Sequence, residues 1–183
     1  MMRSILDMIY KASEYLAAAF LLAIGVMVLA QVGCNIANSL VGWMTGVNGE
    51  YAIPSYAEFA GFFLAASSFL ALAGTFRAGV HIRVSLVIQN FAGTKRRIVE
   101  LWCVGLAILM VGFFGWHMLQ LVLESLEYMD MSPGLIPVPL WIPQSALALG
   151  LLVFLMALLD AFAAVLGGEE RAHGDPELSE SGE

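Results

Sequence analysis

Charged side chains are scarce in this sequence, and the few present are unevenly placed. Asp, Glu, Lys and Arg make up 13% of its 183 residues, and 60% of the residues are hydrophobic. A soluble domain averages about 25% charged and about 45–50% apolar residues, so an ordinary water-soluble domain is excluded and lipid is the implied solvent. Basic residues are the scarcest charged class, eight against fifteen acids, for a net charge of -7. That balance leaves no footprint for nucleic acid. Cysteine is nearly absent. Cys34 and Cys103 fall at different expected depths, which argues against a disulfide, and neither has a Cys or His at metal-ligand spacing. Proline is missing from the middle of every long apolar run; of six prolines, four crowd between Pro133 and Pro143.

What the sequence does hold is four apolar blocks. A helix needs ~20 apolar residues to cross a hydrocarbon core ~30 Å thick. Four stretches qualify, at about 15–38, 56–76, 98–123 and 140–166. The expected fold is an all-α integral membrane protein with four transmembrane helices in residues 1–166, followed by an acidic, disordered tail over 167–183. Pro143 falls in the first turn of the fourth span, where a missing N–H costs nothing. The first block runs longer than the apolar core of a signal peptide and lacks a clear cleavage pattern, so it reads as a retained helix.

Orientation follows from the basic residues. Arg3 and Lys11 precede the first span, Arg77, Arg83, Lys95, Arg96 and Arg97 lie between the second and third, and Arg171 follows the fourth. The segments after the first and third spans contain no Lys or Arg. The positive-inside rule therefore places both termini in the cytoplasm. Between the second and third spans, Val84, Val87, Ile88 and Phe91 share a helical face opposite His81, Ser85 and Gln89. This predicts a short amphipathic helix lying in the interface.

Ionisable groups inside a membrane are costly and usually functional. Here Glu58, Glu100 and Asp160 fall near span ends, and mid-membrane positions offer only Ser67 and Ser68, whose hydroxyls can bond back to their own helix. Solute sites of secondary transporters lie near the midplane, typically at broken helices. This chain alone therefore should hold no solute site. No catalytic, cofactor-binding or metal-binding set emerges. His81 and His117 invite a haem-anchor reading, but their expected depths lie ~28 Å apart, too far to share one iron.

The remaining polar and small residues are candidates for a subunit or lipid interface. Gln31 and Asn35, with Asn38, share a face of the first helix; they read either as a polar seam against another helix or as the wet outer end of the span. Ala57, Gly61 and Ala65 form a small-residue stripe, repeated by Ala146 and Gly150. Such stripes permit close helix approach, to a partner or within a four-helix bundle. Arg77, Gly79, His81 and Arg83 close the second span: the arginines suit lipid phosphates, Gly79 permits a bend, and Arg77 is at the right depth to pair with Asp160 or Glu100. Trp141 stands among the prolines of Met131 to Gln144, a segment expected to be extended and rigid.

Four in/in spans, RAGVHIRV at Arg77 to Val84 and SPGLIPVPLWIPQ at Ser132 to Gln144 together resemble the small membrane subunit of tripartite ATP-independent periplasmic (TRAP) transporters, the DctQ-like family. The similarity covers roughly residues 10 to 166, although the stretch around Pro133, Pro137 and Pro139 is richer in proline than the family pattern. The resemblance implies a bacterial inner-membrane scaffold subunit of a sodium-coupled, secondary-active system for organic acids. Its implied partners are a large multi-span permease subunit, which holds the solute and sodium sites, and a periplasmic solute-binding protein, with membrane lipids around it. No enzyme activity and no cofactor are implied. Two other readings stand beside it: an anchor for a redox complex, testable by a haem spectrum, and a self-contained small transporter, testable by flux through the chain alone.

Overall fold

The computed structural model describes residues 2–46, 49, 51–78 and 94–167, with the side chains of 2–5 and 94–96 left aside. Four helices account for nearly all of them: α1 (Met2–Thr45), α2 (Tyr56–Arg77), α3 (Thr94–Glu127) and α4 (Trp141–Leu166). All four are long and apolar enough to cross a membrane. The expected amphipathic helix and the acidic tail beyond Gly167 lie outside the described residues.

Each helix ends for a local reason. α1 stops at Gly46, whose left-handed φ of 73° needs the missing Cβ and whose N–H reaches the Gly42 carbonyl at 2.9 Å. α3 closes in a Schellman-type turn: Met129 is left-handed (φ 54°), and the Asp130 N–H donates to the Ser125 carbonyl at 3.2 Å. A methionine there carries strain that a glycine would not. The last carbonyls of α4 are capped from outside. Arg97 at the start of α3 donates to Val165 (3.1 Å) and Leu166 (2.6 Å), placing a cation at the negative end of the helix.

The first helix extends well beyond the expected span of 15–38 at both ends. α1 has 44 residues, about 66 Å at 1.5 Å per residue, twice the hydrocarbon thickness. The charged residues Asp7, Lys11 and Glu14 mark a membrane boundary but contain no helix breaker, so the helix runs through them. Antiparallel pairing with α2 is fixed by three contacts. Ser13 donates to the Leu70 carbonyl (2.6 Å), Phe20 stacks on Phe63 (5.4 Å between centroids), and Gln31 accepts from the Ile53 N–H (3.0 Å). On that register α1 passes the start of α2 near Val28 and continues roughly 25 Å to Thr45.

The helices do not close into a bundle. α1 packs on α2, α2 on α4, and α4 on α3, while α1 touches α4 only marginally and α3 touches neither α1 nor α2 among the described residues. The result is a single row, α1–α2–α4–α3. The inner pair holds the densest packing, with Ala66, Leu70 and Ala73 of α2 and Ala148, Leu151, Val153, Ala157, Leu158 and Ala161 of α4 all buried. Small residues dominate because helices in lipid gain mainly from close van der Waals contact. At one end α1 joins them: Tyr10 is buried against Ala73, Val153 and Ala157, and Phe76 meets Phe154 edge-on at 5.8 Å.

Candidate subunit and lipid interface

A row one helix thick presents two broad apolar faces, and the candidate residues divide between holding the row together and facing outward. Gly150 belongs to the first group. A Cβ there would lie 2.6 Å from the backbone of Phe69 and 2.9 Å from the Leu70 nitrogen, so its hydrogen lets the α2 and α4 backbones meet. The other stripe points away: Ala57 and Gly61 are exposed, Ala65 is half-buried, and nothing lies within 4 Å of a Cβ built on Gly61. Ser67 and Ser68 bond back to the Leu64 carbonyl, at 3.0 and 2.8 Å, as their mid-span position requires.

Two of the polar residues of α1, Gln31 and Asn38, have backbone partners within the chain. Asn38 donates to the Tyr51 carbonyl (2.6 Å) and accepts from the Tyr51 N–H (2.9 Å), and Gln31 takes the Ile53 N–H. These amides pair with the backbone of the α1–α2 connection as a neighbouring strand would, and Gly49 fits against Asn38 with no room for a Cβ. Asn35, on the same face, remains exposed.

The proline-rich segment is a closed loop rather than an extended one. Met131 bridges Pro139 in antiparallel fashion, the Ser132 N–H donates to Val138 (2.9 Å), and the Leu140 N–H donates to Asp130 (3.0 Å). Proline removes donors, and the ladder uses only the N–H groups that remain. The loop then folds onto the start of α2, where the Ile136 N–H donates to Ser55 Oγ at 3.0 Å. Ser55 itself is left-handed (φ 56°). Gly134 lies against Glu58, one of whose carboxylate oxygens is buried without a hydrogen-bond partner among the described residues. Trp141, at the first position of α4, is partly exposed.

Arg77 pairs with Asp7 at 2.5 Å, not with Asp160 or Glu100, and its guanidinium lies 4.7 Å from the Tyr10 ring centre. The reason is the extra length of α1, which brings Asp7 level with the end of α2. Gly79, His81 and Arg83 lie outside the described residues. His117 packs edge-on against Phe113, 4.5 Å between ring centres, and both cysteines are free thiols. Sequence reasoning missed Asp7, Ser13, Ser55 and Arg97. Only Ser13 carried a usable signal, as a polar residue on the same side of α1 as Tyr10 and Ala17.

Compared with known families, residues 47–167 match the model described as "Tripartite ATP-independent periplasmic transporters, DctQ component". The chain belongs to the DctQ family. It is a component of a transporter rather than a member of an enzyme family, and a multi-pass inner-membrane protein. The match starts just beyond α1, so it rests on α2, α3, α4 and their connections. No curated protein and no solved structure gives a significant match.

Proposed function

We propose that this DctQ-family chain is the fixed small subunit of a sodium-coupled, secondary-active TRAP transporter for organic acids. It would work beside a large permease subunit that holds the solute and sodium sites and would receive solute from a periplasmic binding protein. The observation that carries the reading is an uninterrupted set of spans with charge only toward their ends: α2 has none between Glu58 and Arg77, α3 none between Glu100 and Glu124, and α4 none before Asp160. A scaffold needs rigid helices and outward apolar faces, whereas a solute site needs broken helices or central polar groups. The stripe Ala57, Gly61 and Ala65 is the proposed face toward the large subunit, since close helix approach is open there.

Reconstitution tests this directly. Vesicles containing the large subunit, the binding protein and this chain should take up solute under a sodium gradient. Vesicles lacking this chain should lose uptake to background, and vesicles with this chain alone should show none. Full uptake without it would sink the scaffold reading.

Both termini are proposed to be cytoplasmic. With Cys34 and Cys103 replaced, a cysteine at Leu135, 84% exposed in the outer loop, should react with an impermeant thiol reagent in intact cells. One at Met8, 67% exposed near the N-terminus, should react only after lysis. The reverse pattern would invert the topology.

A further inference from the structure

The uncharged windows of α1 and α2 do not line up, although the two helices pack side by side. No Asp, Glu, Lys or Arg occurs between Glu14 and Glu50, so α1 is uncharged from Tyr15 to its end at Thr45, about 46 Å of helix. α2 is uncharged only between Glu58 and Arg77, about 27 Å. Ser13 donates to the Leu70 carbonyl and Glu14 lies against Gly74, so on the backbone register charge enters α1 about 10 Å before Arg77 closes α2. At the other end α1 runs past the start of α2 by roughly 25 Å. Both offsets have the same direction. Packed helices offset in this way share one pair of membrane boundaries only if those boundaries cross them obliquely. A step of about 10 Å between axes about 9 Å apart is a slope of about 50°. Fitting ~46 Å of uncharged helix into a core ~30 Å thick also requires about 50°.

Beyond the start of α2, the side chains of α1 sort by face. Leu29, Val32, Ile36, Leu40, Trp43 and Met44 are exposed and share one side at helical spacing. Gln31, Asn35, Asn38, Ser39 and Thr45 fall on the other, where Gln31 and Asn38 hold the connection to α2. Between Tyr15 and Val28 the helix is apolar all round, as full immersion in lipid requires, whereas a two-faced segment suits a boundary between lipid and water. Trp43, 88% exposed, is the side-chain type that anchors at that boundary. We infer that the helical row leans in its own plane at about 50° from the membrane normal, and that residues 29–45 of α1 lie in the headgroup boundary of one leaflet. Their apolar side rests on the acyl chains and their amides turn toward water. The leaflet is the outer one under the topology proposed above; the lean itself does not depend on that topology. A segment standing upright in water would leave the whole apolar side uncovered. α2 then covers only about 21 Å of depth, and its ends suit that position. One carboxylate oxygen of Glu58 is buried beside Gly134, and Arg77 is paired with Asp7.

Spin labels on the chain alone, in phosphatidylcholine vesicles and with Cys34 and Cys103 replaced by serine, test the lean without the transporter's other subunits. Labels on single cysteines at Ile36 and Leu40 should collide with oxygen and be shielded from a water-soluble nickel chelate. Labels at Asn35 and Ser39 should show a several-fold higher ratio of nickel to oxygen collisions. All four side chains are exposed, so the variants should elute as the parent does. Equal ratios at the four positions would overturn the inference: all high places the segment in water, and all low places it in the hydrocarbon core. Helix orientation gives a second reading that needs no substitution. Polarised infrared dichroism of the parent chain in oriented bilayers should return an amide order parameter of about 0.1, whereas helices at the usual tilt of about 20° give about 0.8. A value near 0.8 would end the proposal. Transport enters neither measurement, so failure of the scaffold reading and failure of this one are told apart.

Discussion

Gly150→Val should abolish the assembled fold, while Gly61→Val should leave it intact. Both glycines belong to small-residue stripes, but their surroundings are opposite. A side chain at Gly150 meets the α2 backbone at 2.6 Å, and backbone cannot rotate aside as a flexible side chain can. Overpacking a tight site typically costs about 1–3 kcal/mol, and an obstacle made of main chain belongs at or beyond the top of that range. A side chain at Gly61 meets nothing within 4 Å. Thermal unfolding in detergent, followed by size-exclusion, should therefore show Gly150→Val largely aggregated and Gly61→Val melting like the parent. Co-purification then separates their roles, since the proposed partner face predicts that Gly61→Val loses the large subunit although it is folded. A Gly150→Val chain with a parental melting curve would contradict the α2–α4 seam.

Asn38→Leu should cost far more than Asn35→Leu, although the two amides lie close together on one helix face. Asn38 both donates to and accepts from Tyr51, so its loss removes two hydrogen bonds from the α1–α2 connection. At about 1 kcal/mol per bond, for groups that are exposed, the cost is about 1–2 kcal/mol. Asn35 is exposed, and its replacement should be near neutral for the isolated chain. Hydrogen exchange at the Tyr51 amide gives the readout: faster in Asn38→Leu, unchanged in Asn35→Leu. Equal exchange in the two variants would return Asn38 to the status of a merely wet residue.

The number, type and approximate positions of the helices were legible in the sequence because membrane burial requires long apolar runs, and few other segments produce them. The length of α1 was not. Charges at Asp7, Lys11 and Glu14 end a membrane-spanning pattern without ending a helix, since neither Gly nor Pro interrupts the chain there. The order of packing was hidden for a different reason. Helices apolar on all sides carry no stripe to say which face meets which neighbour, so a closed bundle and an open row read alike. Gln31 and Asn38 were visible as polar but not as partners of backbone, because the segment they hold, around Tyr51 to Ile53, has no pattern of its own. The pairing of Arg77 followed from the same gap: Asp7 was assigned to a flanking segment, and so never considered at the depth where α2 ends.

The row order also bears on how the protein is made. Helices α1 and α2 are consecutive in the chain and pack directly, as do α3 and α4. Each pair can settle as soon as its second member leaves the ribosome, since neighbours in sequence find each other early. The α2–α4 seam, with the smaller α1–α4 contact at Tyr10 beside it, joins segments with at least one whole span between them, and it must wait for the last helix to arrive. Assembly in the bilayer then reduces to two independent hairpins and one late docking event, with Gly150 at the point of docking. A lesion at that glycine would accumulate the two hairpins as inserted but unjoined intermediates, for quality-control proteases in the membrane to clear.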